Sequence, residues 1–399
     1  MVMKIGTSFV LFLSLLAHVV DATSVFDISK YGAKGDGKTD IRPTLMNVWK
    51  EACASTTPTT ILIPKTSYAL NQIEFKGPCK AAINFEFQGT VRASSDISHF
   101  ENNSPGLPGW ITFAYINQLT VSGGGTFDGV GAQAWLKNNC QKTKNCIELP
   151  VSLVFNFVDN TRIRGITSLN SKAFHLQIFG SNNVTIEHVT ITAPGDSPNT
   201  DGIHVGRSVG VNITDTTIST GDDCISIGDG TQQIHITKVS CGPGHGLSVG
   251  SLGRYEGEKE VVGIFVKNCT LTETTNGVRI KTWPASPKGA ASDMHFEDII
   301  MNNVANPVLI DQEYCPSNQC TKQHPSQVKI SKVSFKNIRG TSSTQVAAKL
   351  LCSKGLPCEN VEVGDINLTY KGVGGPAIAN FTNVKPTFTG KQNPPFHAC

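Results

Sequence analysis

Three aspartates and one histidine recur at intervals that a folded chain could turn into proximity. Asp201 and Asp223 are 22 residues apart, Asp223 and His245 are again 22 apart, and Asp222 adjoins Asp223. Carboxyl groups held close together repel, so at least one keeps its proton above the usual acid range. A proton shared among paired carboxyls is what general acid and general base chemistry at a glycosidic bond requires. Alone, Asp222-Asp223 reads as a solvated turn. With Asp201 and His245 one interval away on either side, it reads as part of a site. His245 stands between Gly244 and Gly246, and glycine lets a backbone come close to a ligand. Arg279 and Lys281 follow on an alternating segment, pointing one way while Ile280 points the other. That basic pair would give an acidic sugar something to bind.

The segments between these clusters alternate apolar and polar residues: Val184 to Ile191, Val211 to Ile218 and Ile234 to Val239. Period-2 alternation means strand with one face buried. Strand-only units repeating every 20 to 35 residues or so point to a parallel β-helix, with coils stacked roughly 4.8 Å apart. Asp201, Asp222, Asp223 and His245 then stand on three consecutive coils, on one face. The fold class expected is all-β: a single right-handed parallel β-helix with a short helix capping its amino-terminal end. That helix, capped by Thr39 or Asp40, should run to about Cys53 with Ile41, Leu45, Val48 and Ala52 on one face. Val25 to Tyr31 reads as a first strand, residues 32–38 as a loop, Asp128 to Pro150 as an insertion and Lys385 to Cys399 as an irregular tail with three prolines.

Residues 1–22 read as a secretion signal, with Lys4 ahead of an apolar run from Phe9 to Val20. That run is too short for a membrane span. Residues 23–399 form one domain, expected to be extracellular in the cell wall. The formal charge of +3 predicts neither nucleic acid nor membrane as a partner, and a monomer is expected. Twelve cysteines in a secreted chain are expected as disulfides. Local candidates are Cys53 with Cys79, Cys140 with Cys146, Cys224 with Cys241, Cys315 with Cys320, and Cys352 with Cys358, which leaves Cys269 and Cys399. Cys-x-x-Cys spacing and Cys/His clusters are lacking, so neither a metal nor a cofactor is expected. Sequons occur at Asn102, Asn183, Asn212, Asn268, Asn367 and Asn380. Any that carry glycan must face solvent.

The clusters, in this order, resemble the polygalacturonases of glycoside hydrolase family 28. The likeness rests on Ser197-Pro-Asn-Thr-Asp-Gly-Ile-His204, Gly221-Asp-Asp-Cys-Ile-Ser226, Gly242-Pro-Gly-His-Gly-Leu-Ser248 and Asn276-Gly-Val-Arg-Ile-Lys281. It covers nearly the whole chain after the signal, and its style is closest to the plant pollen-type members, usually classed as exo-acting. The resemblance implies inverting hydrolysis of polygalacturonate. It implies that Asp222 is the acid, that Asp201 and Asp223 activate the water, and that His245 tunes the acid. It also implies that Asn199, Arg279, Lys281 and Tyr314 contact substrate. The alternatives are endo-acting cleavage, a calcium-dependent pectate lyase, and a wall protein that binds without cutting. The electrostatic argument puts the proton on Asp222 and leaves Asp201 and Asp223 ionised.

Overall fold

The computed structural model describes residues 24–100, 108–137, 148–318 and 320–395. The signal segment, the Cys140 and Cys146 pair, Asn102 and Cys399 lie outside them. The chain winds as a right-handed parallel β-helix, as expected. The apolar positions of the dyads stack coil on coil: Val184, Val211, Ile234, Ile264, Met294 and Val333 share one register position. Each is at most 1% exposed. Burying one such side chain contributes about 1.5–3 kcal/mol, and the repeat makes that contribution at every coil.

Eleven strands form the face that matters for function. They are β1 (Ile73–Lys76), β2 (Gly109–Ala114), β3 (Val151–Asn156), β4 (Leu176–Phe179), β5 (Ile203–Gly206), β6 (Ile225–Ile227), β7 (Leu247–Leu252), β8 (Asn276–Thr282), β9 (Asn306–Asp311), β10 (Val346–Leu351) and β11 (Ile378–Thr382). All pair in parallel and in sequence order. The remaining coil segments make a sheet of 22 strands among the described residues.

The capping helix α1 spans Arg42–Ala54 and buries Leu45, Val48, Trp49 and Ala52. The Trp49 ring lies 5.3 Å from Phe75 and 5.8 Å from Phe85, covering the first coils. The cap differs from expectation. Ile41 is the N-cap residue, without a side-chain bond, and Pro43 fixes the first turn. Asp40 still accepts from the Arg42 N–H at 3.0 Å, so it satisfies one orphan donor from a residue earlier.

Two other expectations are corrected at the ends. The first strand stops at Asp27, because the Asp27 carboxylate accepts from Ser29 N and starts a 3-10 turn over Ile28–Tyr31. The loop that follows ends early, in a short strand at Asp36–Asp40. The tail is not irregular either. Thr387–Asn393 forms a strand against Glu359–Tyr370, lying between Pro386 and Pro394 so that no proline interrupts it. The Asp128–Pro150 insertion contains a short helix, Ala132–Lys137.

Four expected disulfides are present: Cys53–Cys79, Cys224–Cys241, Cys315–Cys320 and Cys352–Cys358. Cys269 is a buried free thiol. Asn183, Asn212, Asn268, Asn367 and Asn380 are all exposed.

Phenylalanines form the core under the first functional strands. Phe113 stacks between Phe75 and Phe155, with ring centroids 5.2 Å away on each side. Replacing Phe113 with alanine opens a void that two coils cannot close independently. The expected loss is about 3–5 kcal/mol of unfolding free energy, read from the denaturant midpoint. A loss below about 1 kcal/mol would mean that the aromatic stack does not hold these coils together.

Candidate active site

Asp201, Asp223 and His245 precede β5, β6 and β7 by the same two residues, and those strands are in register. Ile203 pairs with Ile225, and Ile225 with Leu247. The register sets the three side chains one above another on the outer face. One further row lies three residues on from each, His204, Ser226 and Ser248, and Arg279 of β8 continues it, paired in that order. Gly244 and Gly246 serve the stacking more than a ligand. A Cβ on Gly246 would come within 2.1 Å of the Asn276 carbonyl oxygen of the next coil.

Asp223 is 1% exposed, and its carboxylate is fully occupied. Lys281 Nζ donates to Oδ2 at 2.7 Å, Arg279 Nη2 donates to Oδ1 at 2.7 Å, and Ser248 Oγ donates to Oδ1 at 2.9 Å. Arg279 Nε also donates to Ser248 Oγ at 3.0 Å. Burial alone would raise the pKa of Asp223. Lys281 and Arg279 more than offset that and hold it below the ordinary carboxylate range. The basic pair, read from sequence as free for a sugar, is therefore 8% and 6% exposed and engaged with Asp223. Tyr314 joins them, its ring 5.1 Å from Lys281 Nζ and 5.8 Å from Arg279 Cζ.

Asp201 is 6% exposed and forms no ion pair with a cation among the described residues. Ser226 Oγ donates to its Oδ2 at 2.7 Å. Burial and the neighbouring charges of Asp222 and Asp223 raise its pKa well above the usual value, against the weaker pull of Lys281 and Ser226. Asp201 is therefore harder to ionise than the expectation of two equally ionised aspartates, Asp201 and Asp223, allowed. The argument from mutual repulsion holds, but the carboxyl left without a cation is Asp201.

Asp222 faces outward. Its Oδ1 accepts from Asp223 N at 2.8 Å and lies 2.9 Å from His245 Nδ1. The two side chains are 22% and 40% exposed, so this pair meets solvent directly. Asn199 sits in the turn before Asp201 with φ +56°, half-buried. Its side chain makes no hydrogen bond among the described residues. The asparagine stack that a coil turn could have made of it occurs elsewhere, at Asn117, Asn160 and Asn183. Sequence reasoning missed Ser226, Ser248 and His204 as members of the site. The available signal was the repeated three-residue offset from each aspartate or histidine. Asp222, Asp223 and His245 each bring one oxygen or nitrogen within 4.8 Å of the others. Asp223 spends both oxygens on cations and a hydroxyl, so this donor set suits proton transfer better than holding a metal ion.

Residues 53–392 match Glycosyl hydrolases family 28. An exopolygalacturonase of Platanus acerifolia is 55% identical over 94% of this chain and 98% of its own length. A polygalacturonase of Nicotiana tabacum is 54% identical over 98% of this chain and 97% of its own. This chain belongs to glycosyl hydrolase family 28. Its fold is shared by a Thermotoga maritima exopolygalacturonase, with a TM-score of 0.74 at 17% identity over 91% of each chain. An Erwinia carotovora polygalacturonase aligns with a TM-score of 0.70 at 21% identity, covering 92% of this chain and 96% of its own. No helix among the described residues of this hydrolase is long and apolar enough to cross a membrane.

The two buried aspartates should respond oppositely to neutralisation. Asp201 has a raised pKa, so its ionised form opposes folding once the pH exceeds the usual carboxylate range. Asp201→Asn should therefore raise the thermal midpoint at neutral pH, with the gain absent below the ordinary range and full above the raised pKa. Asp223→Asn should lose about 3–5 kcal/mol, because Arg279 and Lys281 stay buried without a counter-ion. Thermal unfolding of both variants across pH checks the contrast. Equal destabilisation by the two would contradict it.

Proposed function

We propose that this family 28 enzyme hydrolyses the α-1,4 bonds of polygalacturonic acid, acting from the chain end with inversion. The observation that carries the reading is the asymmetric carboxyl group set: Asp222 open to solvent beside His245, Asp223 clamped by two cations, and Asp201 buried without one among the described residues. In this reading Asp222 protonates the leaving oxygen. Asp201 takes the proton of the attacking water. A carboxylate of raised pKa is the stronger base, whereas Asp223, held down by Lys281 and Arg279, is a poor one and serves to orient. Asp201 Oδ1 makes no hydrogen bond among the described residues and is not sealed from solvent, which leaves it for the water.

The cation pair and Tyr314 still suit an acidic sugar. Asp223 carries one negative charge against two positive ones, so the cluster keeps a net positive charge for a uronate carboxylate. Asn199, half-buried in the turn before Asp201, has an amide that no described residue engages. The site needs no calcium for this chemistry, which separates it from a lyase. Exo action is the mode named for the Platanus relative, and we extend it to this chain. The sequence of residues 1–22, the exposed sequons and the disulfides support a secreted, cell-wall protein.

Product analysis on polygalacturonate tests the reading. Galacturonate monomer alone is expected, with activity that persists in chelator. A ladder of oligomers with rapid viscosity loss would replace exo by endo action, and an unsaturated product would replace hydrolysis by elimination. The pH profile follows from the site. Activity needs Asp201 ionised, so it should fall as pH drops through a point above the ordinary carboxylate range. Asp222→Asn should fold, bind oligomers and turn over at least about a hundredfold more slowly. A substrate whose leaving group needs no protonation should recover part of that loss, and equal losses on both substrates would remove Asp222 from the acid's role.

A further inference from the structure

We propose that Asn380 carries an N-linked glycan and that this glycan ends the path of the substrate over the functional face. The second half of the proposal rests on the reading of polygalacturonate as the substrate.

Asn380-Phe-Thr382 is a sequon, and its place in the fold sets it apart. Asn183, Asn212 and Asn367 lie on strands of the 22-stranded sheet. Asn268 lies in the turn between two strands of that sheet. Among the described sequons, Asn380 alone lies on the functional sheet, in β11.

The register carries Asn380 into the row of the active site. Arg279 pairs with Leu309, Leu309 with Lys349, and Lys349 with Asn380. Alternation turns Phe381 inward, where it packs on the core, and leaves Asn380 and Thr382 outward and exposed. Asn380 therefore stands three strands beyond Arg279 on the same face, about 14 Å away at the usual strand spacing.

The amide is available for attachment. The Asn380 side chain makes no hydrogen bond among the described residues. Asn183 Nδ2, by contrast, is held by Asn160 Oδ1 at 2.7 Å. On attachment, Asn380 Nδ2 loses a proton and bonds to the anomeric carbon of the first glycan sugar. The bond from that carbon to the phosphate of a lipid-linked oligosaccharide breaks, and the lipid diphosphate leaves with the electron pair. The donor belongs to the secretory route that residues 1–22 predict.

Charge sets the direction of the substrate. Lys281 and Arg279 of β8 outnumber Asp223. Lys349 of β10 is half-buried and forms no ion pair among the described residues. Asp311 of β9 accepts from the Glu313 N–H at 3.0 Å. A polyanion that follows these cations runs up the coils from β8 over β9 and β10. The next strand it meets is β11. A glycan is bulky and solvated, so on Asn380 it stands in that path. A short oligomer ends before it, whereas a long chain must lift away from the face.

The secreted, glycosylated protein tests this. Peptide mapping by mass spectrometry should find glycan on Asn380, and a bare Asn380 would overturn the proposal. Asn380→Gln and Thr382→Ala each abolish the sequon at an exposed position, whereas Thr382→Ser keeps it. Both sequon-free variants should lower KM for long polygalacturonate several-fold and leave KM for the galacturonate trimer unchanged. Thr382→Ser should match the parent, and Asn367→Gln, altered on the other sheet, should too. A lower KM in Asn380→Gln but not in Thr382→Ala would assign the effect to the amide and overturn the role of the glycan. Equal changes on trimer and polymer would overturn it as well. A parent protein that releases no galacturonate from either substrate would instead count against the proposed function. Equilibrium binding of the same trimer and polymer then decides the proposal: loss of the glycan must tighten polymer binding alone, and unchanged polymer binding overturns it.

Discussion

The ion pairing of Asp223 with Arg279 and Lys281 is the constraint on which the rest of the site depends. A carboxylate 1% exposed stays charged only if cations are buried with it. Here both cations come from β8, two strands beyond β6 in the functional sheet, and they lean across β7 to reach it. The contact therefore exists only while β6, β7 and β8 keep their register. The apolar ladder inside the coils supplies that register. Ile225, Leu247 and Val278 align within it and are 0–2% exposed. A slip by one residue would turn the catalytic rows inward.

Because Asp223 takes both cations, Asp201 has none. The two carboxyls differ less in their own environment of burial than in what lies beside them, and that difference divides the work between a fixed charge and a mobile proton. The division is built from one repeated unit. Each buried aspartate accepts from a serine three residues on in the following coil, and each serine oxygen is hydrogen-bonded to a nitrogen side chain of the same outward row. At Asp223 the nitrogen belongs to arginine, which is always charged. At Asp201 it belongs to histidine, which is not.

Much of this could be read from the sequence. The alternating dyads gave the coil, the 22-residue intervals gave the stacking of Asp201, Asp223 and His245, and the helical spacing of Ile41, Leu45, Val48 and Ala52 gave the cap. Four disulfides followed from short cysteine intervals. What was not legible depended on side-chain direction and on which groups share a partner. Arg279 and Lys281 read as solvent cations, because nothing in a strand pattern says that a carboxylate two strands away will bury them. A count of like charges treats the three aspartates alike and cannot see that Asp201 is buried while both strong cations go to Asp223. The tail misled for a simpler reason: prolines bracket its strand, and composition averaged over the segment hides where they fall.

Neutron diffraction from deuterated crystals held at about pH 4.5, just above the ordinary carboxylate range, addresses the central claim most directly. The account predicts deuterium on the Asp201 carboxyl and an Asp223 carboxylate bare of deuterium between charged Lys281 and Arg279. Deuterium on Asp223 with Asp201 bare would contradict it.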